Sequence, residues 1–112
     1  MAHIVRADDQ IRGSGKTIRF EGAAAGTPIS FFAVDVGPGQ GPKLHRHPYA
    51  ETWVVKRGRA LVVAGSEHFE IGPDDVAVVP AEVPHKFTAI GTERLEMTCI
   101  HAAGTMVQEN LE

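Results

Sequence analysis

Two of the six histidines, His45 and His47, are separated by a single residue. On an extended strand residues i and i+2 project from one face, so both imidazoles point one way and Arg46 the other. Two imidazoles held side by side on a rigid strand can grip one divalent metal ion with little ordering to be done. After a bend at Pro48-Tyr49, Glu51 can return to the same face and add an anionic oxygen. Imidazole with carboxylate suits Mn, Fe, Co, Ni, Cu or Zn, and no thiolate is offered. A further candidate is His85, because Pro80 and Pro84 fix the preceding turn and His85 opens the next alternating run. If that strand lies opposite the first, three histidines and one glutamate surround a point with positions left for water or substrate. Any one of these histidines taken singly reads as an ordinary hydrogen-bonded or solvated residue; the chemistry is carried by the cluster.

The elements that must position these groups are short and β-rich. Twelve Gly and seven Pro in 112 residues disfavour long helices and favour strands joined by turns. Strand-like runs fall at residues 31–36, 52–55, 60–63, 68–71, 76–79, 86–89 and 95–100, the recurrence expected of a sandwich or barrel. Lys56-Arg57-Gly58 reads as the turn of a tight hairpin between the second and third runs, and Ala64-Gly65-Ser66-Glu67 as the next turn. Only a short C-terminal turn is expected to be helical. Phe32, Val34, Trp53, Val55, Val62, Val78, Phe87 and Met97 are candidates for the pocket lining, and core packing alone would account for each. The expectation is one all-β domain over residues 1–112, with an N-terminal arm over about 1–26 and a barrel over about 27–103.

Several classes of function are excluded. No apolar stretch approaches the roughly 20 residues that span a bilayer, and the N-terminus lacks a basic head followed by an apolar run, so neither membrane nor leader is expected. A formal charge of −3 without a basic stripe argues against nucleic acid as a partner. The single cysteine, Cys99, rules out an internal disulfide and makes a reducing cytoplasm the expected location. Cys99 reads as a small buried apolar residue and His3 and His68 as surface residues. Gly13-Ser14-Gly15-Lys16-Thr17 ends like a phosphate-binding loop, but Gln10 stands where that motif needs its first glycine. It is read as an entry loop.

Gly39, His45, His47, Glu51 and Gly58 match all five positions of the first cupin motif, and the chain resembles that superfamily, specifically its small single-domain members. The second cupin motif is met at Pro80 and His85, whereas Asp74, Glu82 and Ala89 stand where Gly, Gly and Asn are usual. Those departures touch turns and a strand and leave the ligand intact. The resemblance covers roughly residues 30–101 and implies a small antiparallel jelly-roll barrel, usually homodimeric, with one divalent transition metal (Fe, Mn, Ni, Zn or Cu) inside. It carries His45, His47, Glu51 and His85 over as ligands.

One more residue is assigned from periodicity. Counting by twos, Leu95, Met97, Cys99 and His101 share the more apolar face of the last run, which brings His101 towards the metal end. There it would be a group supporting a ligand or an acid–base group, with Glu51 as the other catalytic candidate; the alternative is a histidine at a fraying strand end. Three functions remain: a metal-dependent enzyme acting on a small organic molecule, with dioxygenase chemistry leading and isomerase or lyase chemistry behind it; a non-catalytic metal-dependent binder or sensor of a small molecule; and a structural relic. Intact ligands argue against the last.

Overall fold

The computed structural model describes residues 2–12 and 15–112. Gly13 and Ser14, on which the entry-loop reading falls, lie outside the described residues. Among the described residues eleven strands follow in chain order: β1 (Ile11–Arg12), β2 (Ile18–Glu21), β3 (Ser30–Val36), β4 (His45–Arg46), β5 (Glu51–Arg57), β6 (Arg59–Ala64), β7 (Glu67–Ile71), β8 (Val76–Val79), β9 (His85–Ile90), β10 (Leu95–His101) and β11 (Glu109–Asn110). Helix is confined, among the described residues, to the 3-10 turns Ala7–Asp9 and Ala23–Ala25. One sheet runs β1-β2-β3-β10-β5-β8 and the other β11-β4-β9-β6-β7, with every pairing antiparallel. The result is a jelly-roll sandwich whose two ladders do not close into one continuous barrel.

Alternation fills the interior. Ala60 and Val62 of β6, Phe87 and Ala89 of β9, Trp53 and Val55 of β5, and Leu95, Met97 and Cys99 of β10 all point inward and are buried. Each large apolar side chain so buried stabilises the fold by about 1.5–3 kcal/mol. The Trp53 and Phe87 rings meet edge to face across the two sheets, 5.3 Å apart.

Three expectations are corrected. Residues 52–55 and 60–63 do not form a hairpin: β5 pairs with β8 and β10, and β6 with β7 and β9. Between them the chain changes sheets at Gly58, which has φ +79° and where a Cβ would lie 2.4 Å from the Arg94 carbonyl oxygen. A two-residue hairpin and a sheet-to-sheet corner carry the same glycine signal, and the close approach of Arg94 is not visible locally. Val78 lies on the outer face and is 63% exposed, because β8 turns Ala77 and Val79 inward instead. A run of three valines and an alanine has no polar residue to fix its register. At the C-terminus a strand, β11, stands where a helical turn was expected, and it pairs with β4.

The site's residues fall at one end of the sandwich because four strands begin or finish there. His45 opens β4 and is paired across the ladder with His85, which opens β9. In the other sheet Glu51 opens β5 opposite His101, the last residue of β10.

Asp74 and Glu82 are the two non-glycine residues with positive φ among those described, at +70° and +68°. These are the two turn positions where the second motif ordinarily has glycine. A side chain in the left-handed region costs about 1–2 kcal/mol, and glycine recovers most of that, less its greater freedom when unfolded. Glu82→Gly should therefore raise stability by about 0.5–1 kcal/mol and Asp74→Gly by less, since aspartate tolerates this region better. Denaturant midpoints at unchanged m-value measure both.

Candidate metal centre

The ligand strand is held from both sides. β4 is only two residues long, and it lies between β9 and β11. The Leu111 N–H donates to the Leu44 carbonyl at 2.9 Å, while the Glu112 carboxylate accepts the Leu44 N–H at 2.8 Å and faces Lys86 at 3.2 Å. On the other flank the Glu82 N–H donates to the His47 carbonyl at 2.7 Å.

The four candidate ligands, His45, His47, Glu51 and His85, are all buried, and one donor atom from each lies within 4.8 Å of the others. Each histidine is oriented through its far nitrogen. Nδ1 of His45 is 2.6 Å from the Lys43 carbonyl oxygen, Nδ1 of His47 is 2.8 Å from that of Val107, and Nδ1 of His85 is 2.9 Å from that of Val83. A carbonyl only accepts, so each Nδ1 carries the proton and each Nε2 turns a lone pair to the centre. There Nε2 of His47 and Nε2 of His85 both stand 3.1 Å from Glu51 Oε1. Lone pairs facing a carboxylate oxygen repel unless positive charge lies between them. The buried Nε2 of His47 has no hydrogen-bond partner. Three imidazole lone pairs, a carboxylate and an orphaned donor atom fit a divalent transition metal.

The second oxygen of Glu51 is fixed by Trp53, whose indole N–H donates to Oε2 at 2.6 Å. Burial pushes the Glu51 pKa up, but the facing rings of His101, His47 and His85 outweigh it and hold the carboxyl far below the usual carboxylate range. Burial lowers the pKa of His45. For His47 burial acts downward too, but Glu51 beside it and the Val107 carbonyl prevail and raise it.

His101 is 1% exposed, with Nε2 at 3.4 Å from Glu51 Oε2 and the ring edge-on to Phe32. The β10 face counted from the sequence is the inward one. Tyr49 stacks on His47 and brings its hydroxyl oxygen to 2.6 Å from His101 Nδ1. A cavity of about 520 Å³ opens beside these groups, lined further by Phe32, Val34, Phe87, Cys99, Thr17, Gln40 and Gln108. Of the residues that alternation suggests for the lining, Phe32, Val34, Trp53 and Phe87 border it, while Val55, Val62 and Met97 are buried in the core. Cys99 is buried and its thiol pKa is pushed up, chiefly by burial and then by Glu51, which keeps it protonated. His3 and His68 are exposed.

Sequence reasoning did not find Val107 and Gln108, since only the β11–β4 pairing brings them to the site. The Trp53 bond to Glu51 was legible in principle, because residues two apart on a strand share a face.

Comparison with known proteins supplies the relatives. The family model described as the cupin domain matches residues 32–101. A protein described as polyketide synthase CurC, from Streptomyces cyaneus, is 34% identical over 61 residues, which are 54% of this chain and 40% of that protein. Oxalate decarboxylase from Bacillus subtilis, whose Mn(II) centres have been characterised, superposes with a TM-score of 0.80 at 24% identity over 91% of this chain and 29% of that one. The formate complex of the Lactobacillus farciminis oxalate decarboxylase gives 0.79 at 24% identity, over 93% of this chain and 34% of that one. At that identity the structural likeness is one of fold, and the chain spans well under half the length of each of these proteins.

Protein prepared without chelator should hold about one transition metal per chain by elemental analysis, and His45→Ala and His85→Ala should abolish it. A protonated imidazole has no lone pair to give, so affinity should fall as pH drops through the imidazole range near 6.5, with protons competing at His47, whose pKa is raised, before they compete at His45, whose pKa is lowered. A metal content unchanged by both substitutions would refute the assignment.

Proposed function

Because this chain belongs to the cupin family, we propose that it is a metal-dependent enzyme acting on a small enolisable carbonyl or aromatic compound, with reaction with dioxygen as its chemistry. The observation that carries this reading is the convergence of four buried donors, three of which (His45, His47 and Glu51) line a cavity of about 520 Å³, large enough for a small organic molecule. A divalent metal held by His45, His47, Glu51 and His85 would supply a Lewis acid for a carbonyl or enolate oxygen and, if redox-active, a partner for dioxygen. The chain's own contribution is positional. Phe32, Val34 and Phe87 offer apolar surface, Gln40 and Gln108 offer amides, and His101 stands next to Glu51 for proton handling. The similarity to a protein described as a polyketide synthase favours a substrate with more than one carbonyl group.

The isomerase- or lyase-type alternative rests on the adjacency of His101 and Glu51, which would serve proton transfer without an oxidant. Oxygen uptake by the iron-loaded protein against diketones, flavonols, thiols and catechols separates the readings. The expected result is uptake with one class of compound and its loss in His85→Ala. Conversion without oxygen would move the assignment to isomerase or lyase, and tight binding without turnover would make the protein a binder.

We further read the chain as a cytoplasmic homodimer. Val54, Val76 and Val78 lie exposed on the outer face of β5 and the edge strand β8, an apolar strip of the kind that subunit contact covers. The lone buried cysteine suits a reducing compartment. Sedimentation equilibrium should report two chains per particle, and Val78→Glu should shift the protein to monomer; a monomeric parent chain would end this reading.

A further inference from the structure

Four histidine rings surround Glu51, and the hydrogen-bond partners of one differ in kind from those of the other three. His45, His47 and His85 each meet a backbone carbonyl at Nδ1, which can only accept. His101 Nδ1 meets the Tyr49 hydroxyl, which can do either, so its role is set by what else the hydroxyl touches. The Val107 N–H points at the Tyr49 oxygen from 3.2 Å and donates to it. His47 Nδ1 is 3.5 Å from the same oxygen, but its proton is engaged by the Val107 carbonyl at 2.8 Å. Among the described contacts, the phenolic proton has one acceptor in reach, Nδ1 of His101 at 2.6 Å. With Nδ1 accepting, the ring's own proton is on Nε2.

The other end of the ring agrees. His101 Nε2 is buried, without a hydrogen-bond partner, and 3.4 Å from Glu51 Oε2. Oε2 already accepts the Trp53 N–H at 2.6 Å. An N–H beside a carboxylate oxygen is attracted to it, whereas a lone pair there would be repelled. The ring also borders the cavity.

We infer that Tyr49 fixes His101 in the Nε2–H tautomer, so that His101 is not a fifth metal ligand but a hydrogen-bond donor selecting a ligand with an acceptor oxygen, such as an enolate or carbonyl oxygen, beside the metal. This deepens the proposed function and rests on it in that the selected ligand is the substrate; the tautomer itself rests on the hydrogen-bond pattern alone. Tyr49 is the positioning residue, acting through His101. The pattern makes the cavity a discriminator: a compound whose oxygen binds beside the metal gains a second bond only if another acceptor oxygen lies on the His101 side. A hydrocarbon at that place would offer the N–H no acceptor better than Glu51 Oε2 at 3.4 Å, and a cationic amine would oppose it.

The test is a long-range proton–nitrogen-15 spectrum of the histidine rings, in the metal-free and the zinc-loaded protein. The expected pattern is a proton on Nδ1 of His45, His47 and His85, with Nε2 shifted by zinc, and a proton on Nε2 of His101. Tyr49→Phe should partly convert His101 to the Nδ1–H form while zinc stoichiometry stays at one per chain. The probe 2,4-pentanedione should bind the zinc-loaded His101→Leu protein about tenfold more weakly than the parent, with part of the loss regained in His101→Gln, whose amide still donates. A proton on Nδ1 of His101 in the parent chain, a zinc-shifted His101 Nε2, or equal diketone binding by parent and His101→Leu, including none, would overturn the inference. A protein that takes up no zinc but keeps the His101 Nε2 proton would defeat the enzyme reading and leave the tautomer standing.

Discussion

A single buried negative charge organises this end of the molecule. Glu51 is 4% exposed, and an ionised carboxylate in such a place is untenable without partners on every side. Trp53 supplies one hydrogen bond, and His47, His85 and His101 crowd the rest. Each partner comes from a different piece of chain: β5 itself, the segment after β4, the start of β9 and the end of β10. The ends of these strands must coincide in space for the carboxylate to remain charged. The antiparallel registers that set His45 against His85 and Glu51 against His101 achieve this.

The carbonyls of Lys43, Val83 and Val107 act as an outer layer that makes this arrangement chemical rather than merely electrostatic. By fixing the proton on the outer nitrogen of three rings, they decide that the inner face of the site offers lone pairs. Two of those carbonyls lie two residues before the histidine they serve, so the strand geometry that points the ring inward also brings its acceptor. Val107 is the exception: it arrives from the far end of the sequence, 60 residues away from His47. Backbone strain is concentrated nearby, since Glu82 holds a left-handed conformation while donating to the His47 carbonyl.

Much of this was legible in the sequence because it depends on period-two alternation. His45 with His47, and Leu95 through His101, were assigned to faces by counting alone, and those faces are the observed ones. The all-β class followed from the glycines, the prolines and the spacing of the runs. What failed depends on information that alternation does not carry. Gly58 marks a sharp change of direction but not which sheet the chain enters next. Val76-Ala77-Val78-Val79 is apolar on both faces, so one residue of register decides which valines are outside. The role of Val107 was invisible because no local pattern announces a pairing between β11 and a two-residue strand more than sixty positions earlier.

That last pairing bears on the order of events in folding. The ligand-bearing strand has one neighbour of its own, β9, and its other edge is covered only when residues near 109 arrive. In a chain made from its N-terminus, the ligands His45 and His47 emerge long before the segment near residue 109 that clamps them, so the complete cage forms only after that segment has been made. Ions that recognise only the finished cage favour the native ensemble by mass action, in proportion to how far their free concentration exceeds the dissociation constant. Cellular metal supply thereby becomes one of the variables that set how much of this protein is folded.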